Sequence, residues 1–175
     1  MLIRNITSAI ALAVVAATAA YSAEETDVLP KQNAEFSKWG EAEGWNIFVD
    51  QSRGSCLIER VDANGNVVQM GLTKDQKFGY VGVFTQADVK PKDDRVHLLL
   101  DNKAYYGDAS SAPKKLAQGY KGGYILANNP DFVDDIMKKY TMTVYPEDAN
   151  SFDVSLDGTF KAIEAARKCN AEQAN

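Results

Sequence analysis

The side chains that could carry chemistry are few and scattered. His97 is the only histidine among the 175 residues. Its neighbours Val96, Leu98, Leu99 and Leu100 place it in an apolar strand, where a hydrogen-bonded structural imidazole is the simplest reading. A Ser-His-Asp mechanism needs an exposed nucleophile on a shaped turn beside the imidazole. There is no G-x-S-x-G elbow, and Ser110-Ser111 sits in a polar stretch, 108–115, that reads as a loop. A Cys-His mechanism would need Cys56 or Cys169 free, and the two are better used on each other. No catalytic residue is assigned.

Metal chemistry fares no better. Asp62-x-Asn64-x-Asn66 imitates the start of a calcium loop, but that loop also requires Gly at its sixth position and Glu at its twelfth. Those positions hold Val67 and Thr73, so a hairpin turn is preferred. Asp131 suits a helix N-terminus, and Asp134 and Asp135 suit a solvated helix face. One histidine and no spare thiolate do not make a zinc or copper site. No metal and no cofactor are expected.

Tyrosines offer the remaining candidate surface. Gly119-Tyr120-Lys121-Gly122-Gly123-Tyr124 lacks the spacing of a phosphate-binding loop and reads first as a tight turn entering a strand. Tyr105-Tyr106-Gly107 puts consecutive rings on opposite faces of an extended segment. Tyr105, Tyr106, Tyr120 and Tyr124 are the candidate ligand or partner surface, because tyrosine gives large contact area at low entropic cost.

The elements that must position these groups are mostly strands. Trp45, Ile47 and Val49 alternate with Asn46 and Phe48, as a half-buried strand does. Asn64-Gly65 tolerates the positive φ angles of a type I′ turn and predicts a hairpin of 56–61 with 67–73. Further strands are predicted at 78–85, 96–101, 124–127, 141–145 and 152–156, bounded by turn residues. Asn129 can cap a helix with Pro130 at its first position, and Phe132, Val133, Ile136, Met137 and Tyr140 share one face. A second helix over 159–169 groups Ala162, Ile163, Ala165, Ala166 and Cys169. The fold class expected is mainly β (α+β): an antiparallel β-sandwich of seven or eight strands with two short helices, the last near the C-terminus.

The N-terminus reads as an export signal. Arg4 precedes an uncharged apolar run from Ile6 to Ala20, then small residues and Glu24-Glu25, in the order of a signal peptide. The run is shorter than the roughly 20 residues that span a bilayer, so cleavage between Ala20 and Ala23 is expected and no integral membrane span after it. The expected organisation is a signal peptide over 1–22, an extended segment over 23–40 and a single domain over 41–175. Losing Arg4 makes the net charge one unit more negative than the −5 of the whole chain. Such a surface repels phosphate backbones, so nucleic acid is not an expected partner.

An oxidising compartment favours a Cys56–Cys169 disulfide. The alternatives are two buried free thiols or an exchange-active pair. Against exchange, the spacing is not C-x-x-C and Cys169 ends an ordinary apolar helix face.

The Gly44-Trp45 strand leading through Val49 to Cys56 and the ending Ser-Phe-Asp-Val-Ser-Leu-Asp-Gly-Thr-Phe-Lys-Ala-Ile-Glu-Ala-Ala-Arg-Lys-Cys over 151–169 carry a family resemblance. Together they resemble the invasion-associated locus B proteins and related secreted proteins of alphaproteobacteria. That family commonly has a further cysteine near its first strand, which this chain lacks. The resemblance implies a periplasmic or secreted β-sandwich without an established catalytic site, and supplies no functional residues. A binding or interaction module for a small ligand or an envelope protein ranks first. A structural envelope accessory docking through a sheet edge ranks second, and a hydrolase using His97 third.

Overall fold

The computed structural model describes residues 36–72, 79–90, 92–107 and 119–174. The expected leader, most of the expected entry segment and the 108–115 loop with Ser110-Ser111 lie outside these residues. Within them, the alternation along β2 (Trp45–Asp50) sets the pattern: Trp45, Ile47 and Val49 enter the main core, while Phe48 packs with Leu57 and Phe36 elsewhere. β3 (Ser55–Val61), β4 (Val67–Leu72) and β5 (Gly79–Thr85) continue the meander antiparallel.

Two antiparallel sheets form a sandwich-like, mainly β fold. The six-stranded sheet runs in the order β1-β2-β3-β4-β5-β8, with β1 at Phe36–Ala42 and β8 at Lys121–Ala127. The four-stranded sheet runs β10-β9-β6-β7, built from β6 (Val96–Leu100), β7 (Lys103–Gly107), β9 (Thr141–Val144) and β10 (Phe152–Ser155). Val96, Leu98, Leu100, Met142 and Val144 meet the inner residues of the larger sheet in one core. A 3-10 turn at Lys92–Asp94 and the helices α1 (Pro130–Lys138) and α2 (Thr159–Gln173) complete the described elements, and no helix among them is long and apolar enough to cross a membrane.

The described residues hold ten strands rather than seven or eight. β1 falls in what reads as an entry segment, because its only large apolar residues are Phe36 and Trp39; pairing to β2 over Phe36↔Asp50 to Ala42↔Trp45 makes it a strand. β7 pairs along β6 from Val96↔Gly107 to Leu100↔Lys103. The hairpin of β3 with β4 forms as expected, but without a type I′ turn. Its loop is five residues long, and Gly65 alone in it has a positive φ, 79°. The Gly65 amide donates to Asp62 O and the Asp62 amide to Asn66 O, both at 3.0 Å.

The Asn129 side chain accepts from the Asp131 amide at 3.0 Å and starts α1 at Pro130, as expected. Phe132 and Ile136 are buried, but Tyr140 lies beyond the helix end and is 76% exposed. The chain leaves helical geometry at Lys139, so the i+4 spacing from Ile136 no longer points inward.

α2 is tied to the six-stranded sheet at both ends. Near its C-terminal end, Cys169 is disulfide-bonded to Cys56 on β3 across 113 residues of sequence, with the Cα atoms 6.0 Å apart. One residue on, Asn170 accepts from the Cys56 amide at 2.7 Å. In the chain-entropy model, closing a loop on the order of 100 residues is worth about 4.7 kcal/mol. At its other end, Arg60 lies over the Trp45 ring at 4.4 Å. Its guanidinium donates to the carbonyls of Glu43 (2.7 Å), Ser155 (2.9 Å), Asp157 (3.0 Å) and Gly44 (3.3 Å). The Trp45 indole N–H donates to the same Asp157 carbonyl at 3.1 Å.

A planar fork serving several carbonyls while stacked on an indole has no lysine equivalent. Arg60→Ala is expected to cost about 2–4 kcal/mol, from lost charge-assisted hydrogen bonds and cation–π contact. Arg60→Lys should recover less than half of that loss. Urea denaturation of the three proteins measures both, and a full recovery by lysine would show that charge alone matters at this position.

Candidate functional site

α1 and α2 lie over the same face of the six-stranded sheet and leave an apolar cleft between them. Small residues let α2 sit close to the sheet: Ala162, Ala166 and Cys169 are its buried inner face, with Thr159 at its start. α1 presents Phe132 and Ile136. Between these faces the sheet residues Met70, Leu72 and Val81 floor a cleft of about 200 Å³, walled by Phe132, Val133, Ile136, Ile163 and Ala166. Such a lining can exclude water from an apolar molecule smaller than the drug-sized ligands that fill pockets of roughly 300–1,000 Å³. Arg167 and Asn170 are its polar edge. Asn170 is already spent on the Cys56 amide, and Arg167 pairs with Glu164 one turn away.

α1 is held against β7 by polar contacts that also explain its acidic residues. The Tyr105 hydroxyl donates to Asp135 Oδ2 at 2.6 Å, and its ring packs on Phe132 with centroids 4.6 Å apart. The Lys103 ammonium lies 3.1 Å from Asp131 and 3.5 Å from Asp135, while Asp134 pairs with Lys138 on the same helix. The Tyr105 hydrogen bond, opposed by partial burial and helped by Lys103, holds the Asp135 carboxyl below the usual carboxylate range. Exposed pairs of this kind are individually weak; the buried Tyr105–Phe132 contact carries the packing.

The four candidate tyrosines do not form one surface. Tyr105 is 8% exposed and structural, whereas Tyr106, its neighbour on the opposite face, is 58% exposed and sits edge-on to His97 at 4.6 Å. Tyr120 donates to Gly65 O at 3.1 Å and steadies the β3–β4 turn. Tyr124 lies on the sheet face away from the cleft, edge-on to Tyr80 and Phe84 at 5.3 and 5.2 Å. The Asp62 carboxylate accepts from the amides of Asn64 (2.8 Å) and Asn66 (2.9 Å) and from the Asn66 side chain (2.8 Å). It is a turn-former, as preferred from sequence. Among the described residues no group of three or more His, Cys, Asp or Glu side chains is placed to hold a metal ion.

The cleft itself is not visible in any short motif. Its lining comes from four strands and two helices. The apolar faces of both helices are legible at i, i+3 and i+4 spacing, but which part of them stays uncovered depends on how far apart the helices dock.

Scans against protein-family models, curated proteins and solved structures each found no match to this chain.

The Tyr105–Asp135 bond gives a pH-dependent expectation. Asp135 has a lower pKa when folded than its ordinary 3.8, so its contribution to stability is full above that value and is lost as pH falls through the folded pKa. Tyr105→Phe should therefore be less stable than the wild type near neutral pH, with the gap narrowing as the pH drops below about 4. Thermal melts of both proteins across pH 2–7 test this, and a gap that does not change with pH would assign the loss to packing.

Proposed function

We propose that this protein is an exported binding module that takes a small, mainly apolar molecule in the cleft between α1 and α2. The observation that carries the reading is the cleft's lining: apolar side chains from strands and helices enclose about 200 Å³, with Arg167 at the edge. Burying apolar surface there is worth about 25 cal/mol per Å², and a site whose walls are regular elements loses little entropy on binding. A disulfide anchoring the α2 wall keeps the cleft in shape when empty.

Three features support export: the leader-like order of the first 25 residues, the disulfide, and the resemblance to invasion-associated locus B proteins. An intact mass taken from the exported fraction, with and without reduction and alkylation, should show loss of the leader and two thiols that alkylate only after reduction. An intact leader or freely alkylated thiols would contradict export.

Binding is tested with the fluorophore 1-anilinonaphthalene-8-sulfonate, whose emission rises in apolar surroundings. The wild type is expected to enhance it saturably at one site. Ile163→Trp puts a bulky ring into the cleft and should weaken the probe about tenfold or more, the equivalent of roughly 1.4 kcal/mol, while the protein stays folded by circular dichroism. An unchanged affinity in Ile163→Trp would remove the cleft as the site.

A further inference from the structure

A second recess, sharing no residue with the apolar cleft, lies where the segment after β5, strand β6 and the turn between β9 and β10 converge. It has a volume of about 190 Å³ and is lined by Lys90, Lys92, His97, Tyr145, Glu147 and Asp148. Its character follows from which polar groups are already spent. Asp148 accepts from the backbone amides of Lys90 (2.7 Å) and Asn150 (2.8 Å), one on each oxygen. Those bonds hold its carboxyl below the usual range. Glu147 faces the Lys92 ammonium at 3.6 Å. The acids of the recess are thus largely answered.

The donors are not. Among the described residues the Lys90 ammonium has no ion pair within 4 Å, although it acts on the Asp148 and Asp88 carboxylates at longer range. Among the described residues the polar atoms of the His97 side chain have no hydrogen bond, its ring meeting Tyr106 edge-on, and it carries an N–H in either protonation state. Tyr145 is 3% exposed, and its buried hydroxyl has no hydrogen-bond partner among the described residues. Burial pushes its pKa up to about 12, so it remains a donor at neutral pH. An orphaned buried hydroxyl costs about 1–3 kcal/mol. Tyr145 also holds a positive φ of 53°, a strained conformation for an aromatic residue that clusters at ligand-holding positions.

We propose that this recess binds a small organic acid, its carboxylate held by the Lys90 ammonium, the His97 imidazole and the Tyr145 hydroxyl. Such a ligand supplies acceptors for these three donors. Inorganic phosphate is the poorer fit for two reasons. Phosphate cradles are built from converging backbone amides, and here the amides of Lys90 and Asn150 are already given to Asp148. The volume, at about 30 Å³ per water, is also worth several waters and leaves room for a carbon skeleton.

Titrating succinate, and separately inorganic phosphate, into the nitrogen-15-labelled protein tests the assignment. Succinate is expected to give saturable amide shifts confined to residues 90–97 and 144–148. Lys90→Gln and Tyr145→Phe should each weaken it about fivefold to tenfold, the worth of one charge-assisted hydrogen bond. Lys90 is exposed, so its variant reports on binding even where Tyr145→Phe disturbs folding. Ile163→Trp should leave succinate binding unchanged, which separates this site from the apolar cleft. Absence of localised saturable shifts, affinity indifferent to Lys90→Gln, or phosphate binding as tightly as succinate would overturn the assignment.

Discussion

The placement of the start of α2 depends on the stack of Arg60 on Trp45. Trp45 is fully buried at the start of β2, and its indole N–H and the Arg60 guanidinium both bind the Asp157 carbonyl just before α2. Arg60 reaches in the same gesture to the β1–β2 turn through Glu43 and Gly44. Four carbonyls from two distant chain segments are thereby held by one cation. Desolvation lowers the Arg60 pKa from its ordinary value, opposed by Asp157, but a guanidinium stays charged at any ordinary pH. The clasp therefore keeps its charge at any ordinary pH.

That junction explains an otherwise poor helix start. Gly158 occupies the N-cap of α2 without a side-chain cap, at a φ of 77°. A Cβ at that position would lie 2.2 Å from the Cβ of Glu43, so the residue must be glycine for the β1–β2 turn to approach. Caps are worth about 1 kcal/mol, and α2 forgoes one here because its position is set by tertiary contacts: the Arg60 clasp at one end and Cys56–Cys169 at the other. A helix fixed at both ends makes a stable wall, and the cleft is the space that its fixed position leaves beside α1.

The opposite face of the six-stranded sheet solves a different problem. Tyr80 pairs with Gly71, Tyr124 with Gly82 and Phe84 with Gly122 across adjacent strands. At each glycine an added Cβ would fall within 3 Å of its aromatic partner or the neighbouring backbone. The rings thus occupy the space over the glycine positions, packed edge-on to one another, and cover backbone that a bare sheet would expose. The cross-strand Gln69–Glu59 pair, joined at 2.7 Å, is buried on the same face. This arrangement accounts for Tyr124, which sequence alone offered as a binding residue and which the sheet uses as cover.

The sequence by itself determined whatever depends on near neighbours. Alternation along 45–50 specifies a strand and its buried face, Asn129-Pro130 specifies where α1 begins, and Asn64-Gly65 specifies a hairpin, though not its turn type. With only two cysteines, one internal pairing is available, and it is the one formed. Tertiary structure decided the rest, for the reason that its partners are far apart in the chain. β1 is a strand because β2 offers it an edge, and Tyr105 is structural while Tyr106 is exposed because of which face β7 turns to α1. Arg60 looks in sequence like any strand-end cation, and its role exists only once residues 43 and 157 are beside it. Both cavities are spaces between elements, set by docking distances that no local pattern encodes.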